Sequence, residues 1–232
     1  LKSEIYKVTV RLSESNERLS EEKLRLADSM ADISHQLKTP LTSMMVMADL
    51  LEEGTLPEEK RREFTSRIRV QLERIQWLVS SLLKLSKLDA GVLEMKHEPV
   101  LIQTLAENAA APLLIPIELK EQTLIMDGPA DISFCGDLHW SAEALVNILK
   151  NCIEHTPEGG KLSITWSGNP LYTEIIVADN GEGIDKSDLP HIFTRFYRGK
   201  NAGEDSVGIG LAMAKSLLVR QGGDLTVTSE KG

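Results

Sequence analysis

At 232 residues the chain has enough material for one or two domains with a buried core. A hydrophobic share of 41% and a charged share of 26% are ordinary for a soluble globular protein, and an aromatic share of 4% makes any core mainly aliphatic. A net charge of -9 excludes bulk electrostatic binding to nucleic acid or anionic lipid. The two cysteines, Cys135 and Cys152, have no metal-ligand spacing and fit a reducing compartment. No apolar run approaches the ~18 residues of a membrane span, and no signal peptide is visible. The chain starts at Leu1 rather than Met, so it is expected to be a fragment, with room for a membrane segment upstream.

The first residues carry apolar side chains at heptad spacing, Ile5, Val8, Leu12 and Leu19, with Leu26 further on. A surface helix explains this stripe, but a two-stranded coiled coil over 1–25 covers it better. The stripe continues through Met30, Ile33, Leu37, Leu41, Met44, Ala48 and Leu51, interrupted by Pro40, which removes one amide donor. Gly54 to Pro57 form a break. A second helix is expected from about Glu58 to Asp89, with Phe64, Ile68, Leu72, Ile75, Val79, Leu82 and Leu85 on one stripe and Gly91 as its stop. Two long amphipathic helices make a hairpin too slender to bury both stripes. Pairing two copies into a four-helix bundle solves that, so a homodimer is expected over 26–91.

Beyond Gly91 the period changes. Val92 to Val100 suits a linker or edge strand, and Leu101 to Ala111 a helix. Thr123 to Met126 and Ile132 to Cys135 read as strands, followed by a long helix from Leu138 to His155. Leu162 to Trp166 and Glu174 to Ala178 alternate as strands do. A helix from Val207 to Gln221 and a strand from Leu225 to Thr228 complete the pattern. The expectation for 92–232 is an α+β domain, a mixed sheet with helices on one face.

Four segments carry chemistry. Ser34-His35-Gln36-Leu37-Lys38-Thr39-Pro40 sets a His among small polar neighbours beside a helix-disturbing Pro. Neutral imidazole, with a pKa near ~6.5, can attack phosphorus at physiological pH. Asn147 and Asn151 lie at i, i+4 on one helix face, as two solvated Asn would too. Asp179-Asn180-Gly181-Glu182-Gly183 follows a strand, where a plain turn is the simpler explanation. Ile192 to Arg198, then Gly208-Ile209-Gly210, end in glycines that open a helix whose amides suit phosphate.

In this order over about 26–229, the four segments resemble the bacterial sensor histidine kinase family. The resemblance implies a dimerisation and phosphotransfer domain over 26–91 and a catalytic ATP-binding domain over 92–232. That domain would stop before the family's last glycine motif and terminal strand. The chain would then be the cytoplasmic portion of a membrane-anchored protein, not itself membrane-bound. His35 becomes the phosphoacceptor, with Gln36 where the family places an acidic base and Thr39 where it places a phosphatase hydroxyl. Thr39 alternatively bonds back to a helix carbonyl. ATP would be held by Asn147, Asn151, His155, Asp179, Gly181, Gly183, Arg198, Gly208 and Gly210. Asn151 would ligate Mg²⁺, and Asp179 would accept a hydrogen bond from the adenine amino group. Related ATP hydrolases place Glu where this chain has Asn147; an amide cannot act as general base. Glu154 stands where a phosphate-contacting Lys is usual. The implied function is autophosphorylation on His35 and transfer to an Asp of a response regulator receiver domain, with phosphatase activity toward it. The alternative is a phosphatase-biased, weakly catalytic signalling scaffold.

Overall fold

A computed structural model of the chain describes residues 30–54, 56–199 and 206–230. The coiled coil expected over 1–25 lies outside them. By its contacts the chain divides into two compact units, Leu1–Val79 and Ser80–Gly232.

In the first unit α1 is helical over 30–52 and α2 begins at Glu58, running to Asp89. Pro40 does not end α1: it costs the carbonyl of Gln36 its amide donor, while the flanking turns keep their bonds. Three hydroxyls bond back one turn: Ser34 Oγ to Met30 O at 2.8 Å, Thr39 Oγ1 to His35 O at 3.3 Å, and Thr42 Oγ1 to Lys38 O at 2.9 Å. Gly54, at φ 68°, turns the chain out of the helix. Pro57 gives its carbonyl to Arg61 N at 3.1 Å and so stands just ahead of α2, whose first turn holds Glu58 and Glu59 against the helix dipole. The expected single stripe splits. Met44, Met47 and Leu78 are buried, whereas Leu41, Met45, Leu72 and Val79 stay exposed.

The second unit includes the last turns of α2. Gly91, at φ 69°, closes that helix with paired bonds, Val92 N to Lys87 O at 3.2 Å and Gly91 N to Leu88 O at 3.1 Å. The order that follows is β1 (Glu98–Leu101), α3 (Ile102–Ala110), a 3-10 turn (Ala111–Leu113) and α4 (Leu114–Leu119). Next come β2 (Thr123–Asp127), β3 (Ser133–Gly136), α5 (Leu138–His155), β4 (Lys161–Gly168), β5 (Thr173–Asp179) and α6 (Gly210–Arg220). β1 and β3 form an antiparallel ribbon. The main sheet has order β2-β4-β5, parallel between β2 and β4 and antiparallel between β4 and β5, so it is mixed.

Alternation along β4 sends Leu162, Ile164 and Trp166 into the core. There they meet Ile102, Leu105 and Ala109 of α3 and Leu145, Leu149 and Ile153 of α5. Ile125 and Ile176, on neighbouring strands, stay exposed. The helices therefore cover one face, as expected.

Three local expectations change. The 3-10 turn and α4 were not anticipated; Pro112 and Pro116 both sit in first turns, where no amide is needed. The helix expected from Val207 begins at Gly210, because Gly208 holds φ at 73°, outside the helical region. Leu225 to Thr228 form no ladder among the described residues. Residues 224–230 alternate exposed and half-buried positions but have no hydrogen-bonded strand beside them.

Candidate functional site: a nucleotide cradle around helix α5

In the first unit His35 is exposed on α1, Gln36 is half-buried beside it and Pro40 is buried. The imidazole is open to solvent. The Thr39 hydroxyl, one turn on, donates to the His35 carbonyl, the bond back into the helix that its sequence position allowed.

In the second unit the site is built on α5. Asp137 caps its start: Oδ1 accepts from Trp140 N at 3.1 Å and Oδ2 from Lys96 N at 2.9 Å. Burial alone would raise this carboxyl's pKa. Donation from the amides of Lys96, Trp140 and His139 outweighs that and holds it below its ordinary value. At the far end Lys120 Nζ reaches Ile153 O at 2.7 Å and Glu154 O at 3.1 Å, while Gln122 Nε2 reaches Thr156 O at 2.7 Å. An ammonium at a helix C-terminus opposes the negative end of the dipole. It also puts a cation near Glu154, the position where a Lys was missed.

Between these ends Asn147 is buried, its Nδ2 donating to Glu143 O at 2.8 Å. Its Oδ1 faces the start of α6: a Cβ built on Gly210 would stand 3.5 Å from it. Asn151, one turn on, is half-buried.

The turn after β5 closes on the last turn of α5. Asp179 Oδ1 accepts from Gly181 N at 2.9 Å, and Asn180 Oδ1 accepts from Lys161 N at 2.7 Å. A Cβ on Gly181 would lie 2.5 Å from the His155 carbonyl and 2.9 Å from Asp179 Oδ1, so only glycine fits. Gly183 has φ 74°. His155 Nδ1 stands 3.7 Å from Glu182 Oε1. An open cleft of about 780 Å³ is lined here by Lys120, Glu154, His155, Asn180, Gly181 and Glu182.

Behind the turn, sequence reasoning missed Cys152. Its thiol is buried and pushed up to about 12 by burial and then by the charge and hydrogen bond of Asp179. The third group is the stretch from Phe193 to Gly210. Phe196 holds φ 63° and its amide donates to Gly208 O at 2.8 Å; a Cβ on Gly208 would meet Tyr197 O at 2.3 Å. Tyr197 Oη donates to Asp188 Oδ1 at 2.8 Å. Arg198 is exposed.

The structure thus joins Asn147 to Gly210, His155 to Gly181 and Glu182, and Gly181 to Asp179. No group of three or more His, Cys, Asp or Glu fit to hold a metal occurs among the described residues.

Comparison with known proteins gives two family matches. Residues 25–91 match the His Kinase A (phospho-acceptor) domain. Residues 136–232 match the histidine kinase-, DNA gyrase B-, and HSP90-like ATPase family, and the two together take in well over half of the chain. The chain belongs to the sensor histidine kinases. Within that family it is 31% identical to the signal transduction histidine-protein kinase/phosphatase MprB of Mycobacterium avium over 90% of its own length and 41% of that protein's. It is 28% identical to the sensor-like histidine kinase SenX3 of Mycobacterium tuberculosis over 88% of its length and 51% of that protein's. The chain therefore spans about half the length of these kinases. In fold it resembles the histidine kinase ThkA, solved with the response regulator protein TrrA, at a TM-score of 0.72 and 19% identity, over 88% of this chain and 57% of that one. The ATPase match makes its region an ATP-binding domain. Among the described residues no helix is long and apolar enough to cross a membrane.

Proposed function

We propose that the chain autophosphorylates on His35 with ATP and passes the phosphoryl group to an Asp of a response regulator receiver domain. On this reading 26–91 form the dimerisation and phosphotransfer domain, 92–232 the catalytic domain, and 1–25 a signalling coiled coil; together they are the cytoplasmic portion of a membrane-anchored kinase. The observation that supports the reading is the turn Asp179–Gly183 seated on the last turn of α5, with an acceptor carboxylate and a side-chain-free wall against the His155 carbonyl, one helical turn after Asn151.

Asp179 accepts from the adenine amino group, and Gly181 lets the base approach the backbone. The N-terminal amides of α6, opened by Gly208 and Gly210, meet phosphate oxygens together with Arg198. Asn151, whose amide has no hydrogen bond among the described contacts, supplies a hard oxygen suited to Mg²⁺; bound there, the ion would neutralise triphosphate charge. One ring nitrogen of neutral His35 attacks the γ-phosphorus through its lone pair. The N–P bond forms as the bond to the ADP oxygen breaks, and the proton on the other ring nitrogen leaves to water, because Gln36 has no basic atom. Asn147 argues against simple ATP hydrolysis: its amide is not basic and its NH₂ is bound to Glu143 O.

The complex of ThkA with TrrA supports a receiver domain as partner, and the kinase/phosphatase MprB supports dephosphorylation as a second activity. A phosphatase-biased scaffold is favoured by one observation, the absence of a carboxylate next to His35. The test is incubation with γ-labelled ATP. Label that is acid-labile, alkali-stable and lost in His35→Gln is the expected result. Label that persists in that variant, or no label with nucleotide bound, rejects the kinase reading.

A further inference from the structure

Residues 84–91, the last turns of α2 and the glycine that ends it, grip three of the elements that build the nucleotide site. Lys84 Nζ meets Glu143 Oε1 on α5 at 2.7 Å. Asp89 holds Arg195 in a bidentate pair, Nη1 to Oδ2 and Nη2 to Oδ1, each 2.7 Å. Arg220 Nη2, at the end of α6, donates to Gly91 O at 2.8 Å. All six residues lie in the second unit.

Two of these contacts, those of Glu143 and Arg195, land one step from a nucleotide-facing group, and the third holds the far end of α6. Glu143 stands one turn before Asn147 and its carbonyl holds the Asn147 amide. Arg195 is joined to Phe196, whose left-handed backbone is fixed by its bond to Gly208 O. The Gly208 backbone lies directly against the Phe196–Tyr197 backbone: a Cβ added to it would run into Phe196 C and Tyr197 O. Gly210, two residues on, abuts Asn147. A lone exposed ion pair contributes little. This one is bidentate, its Arg is half-buried, and close-packed backbone connects it to the glycines that open α6.

We propose that Asp89 is a positioning residue of the nucleotide site: through Arg195 and Phe196 it fixes the backbone at Gly208, and so tunes ATP affinity from the end of α2. The inference rests on the nucleotide reading above. It makes the helix end and the cradle two coupled sites, each biasing the other.

The test is calorimetry of the full chain with Mg²⁺ and a non-hydrolysable ATP analogue, beside kcat and KM for autophosphorylation. Asp89→Asn should weaken nucleotide affinity about fivefold and raise KM more than it lowers kcat, with little change in Tm. Asp89→Glu should recover most of the loss, and Asp89→Arg combined with Arg195→Asp should recover part of it. If Asp89→Asn does not fold, Arg195→Lys replaces it: charge is kept but the fork is lost, and affinity should again fall. Unchanged affinity in a folded variant, no rescue by Asp89→Glu, or an affinity loss that tracks Tm would overturn the proposal. An unmodified chain that binds no nucleotide would remove the functional reading and the proposal together. Normal binding with unaffected variants removes only the proposal.

Discussion

Gln36 and Thr39 flank His35 with side chains that do different chemistry. Gln36 accepts hydrogen bonds but not protons, so on the proposed route the imidazole loses its proton unaided. Replacing Gln36 by Glu should therefore speed autophosphorylation, about tenfold or more given what a positioned base contributes. Thr39→Ala should leave that rate alone and impair dephosphorylation of the regulator. Paired rate measurements decide both, and if Thr39→Ala dephosphorylates normally, the bond from Thr39 Oγ1 to His35 O is the hydroxyl's only task. These residues were legible because they are neighbours in sequence. Cys152, which touches Asp179 from 27 residues upstream, was not: pairing between distant elements leaves no periodic trace in composition.

Helix α5 shows how far sequence reaches at the scale of an element. Its bounds, Leu138 to His155, follow from an unbroken apolar period and were read correctly. Its anchoring was not, since Lys96, Lys120 and Gln122 come from remote loops. Asp137→Ala should cost about 1–2 kcal/mol in urea unfolding, because a helix cap is lost and the Lys96 amide loses its acceptor. The depressed pKa of Asp137 also fixes a pH dependence. Its contribution is complete above the unfolded carboxyl's pKa of ~3.9 and disappears as pH falls through the lower folded value. Asp137→Asn should accordingly lose less stability than the unmodified chain as pH falls below about 4. Identical acid profiles would show that the carboxylate charge is unimportant there. The same gap between local and remote signals explains α4, hidden behind two prolines, and the parallel pairing of β2 with β4, which no local pattern encodes.

For the whole molecule the informative surface is apolar. Leu72 is 55% exposed and Val79 42%, one heptad apart on α2, with Leu41 and Met45 one turn apart on α1. An isolated chain gains nothing by showing such rows to water. A second copy of the hairpin covers them by like-with-like packing around a two-fold axis. Leu72→Glu should then convert the dimer to monomer at micromolar concentration in sedimentation experiments, with ATP binding intact. A chain that is already monomeric without the substitution would show that the rows have another use. The heptad pattern pointed to Leu41, Leu72 and Val79 but not to Met45, and it could not divide the residues buried within one hairpin from those left for its partner.

The open position of His35 has a consequence in time. Both nearby hydroxyls, Ser34 and Thr39, are spent on helix carbonyls, and the imidazole itself is exposed. A phosphoryl group placed there would meet water as it would on a free peptide, and protonation of the ring nitrogen would hasten its departure. The message would carry its own expiry, set by solvent chemistry rather than by a protecting pocket, and would have to be collected before it lapsed. After nucleotide is removed, the half-life of the label should be the same within about twofold in the native chain and in urea, since ΔΔG‡ between the two settings is then under ~0.5 kcal/mol. A native half-life many times longer would reveal a shelter around the imidazole.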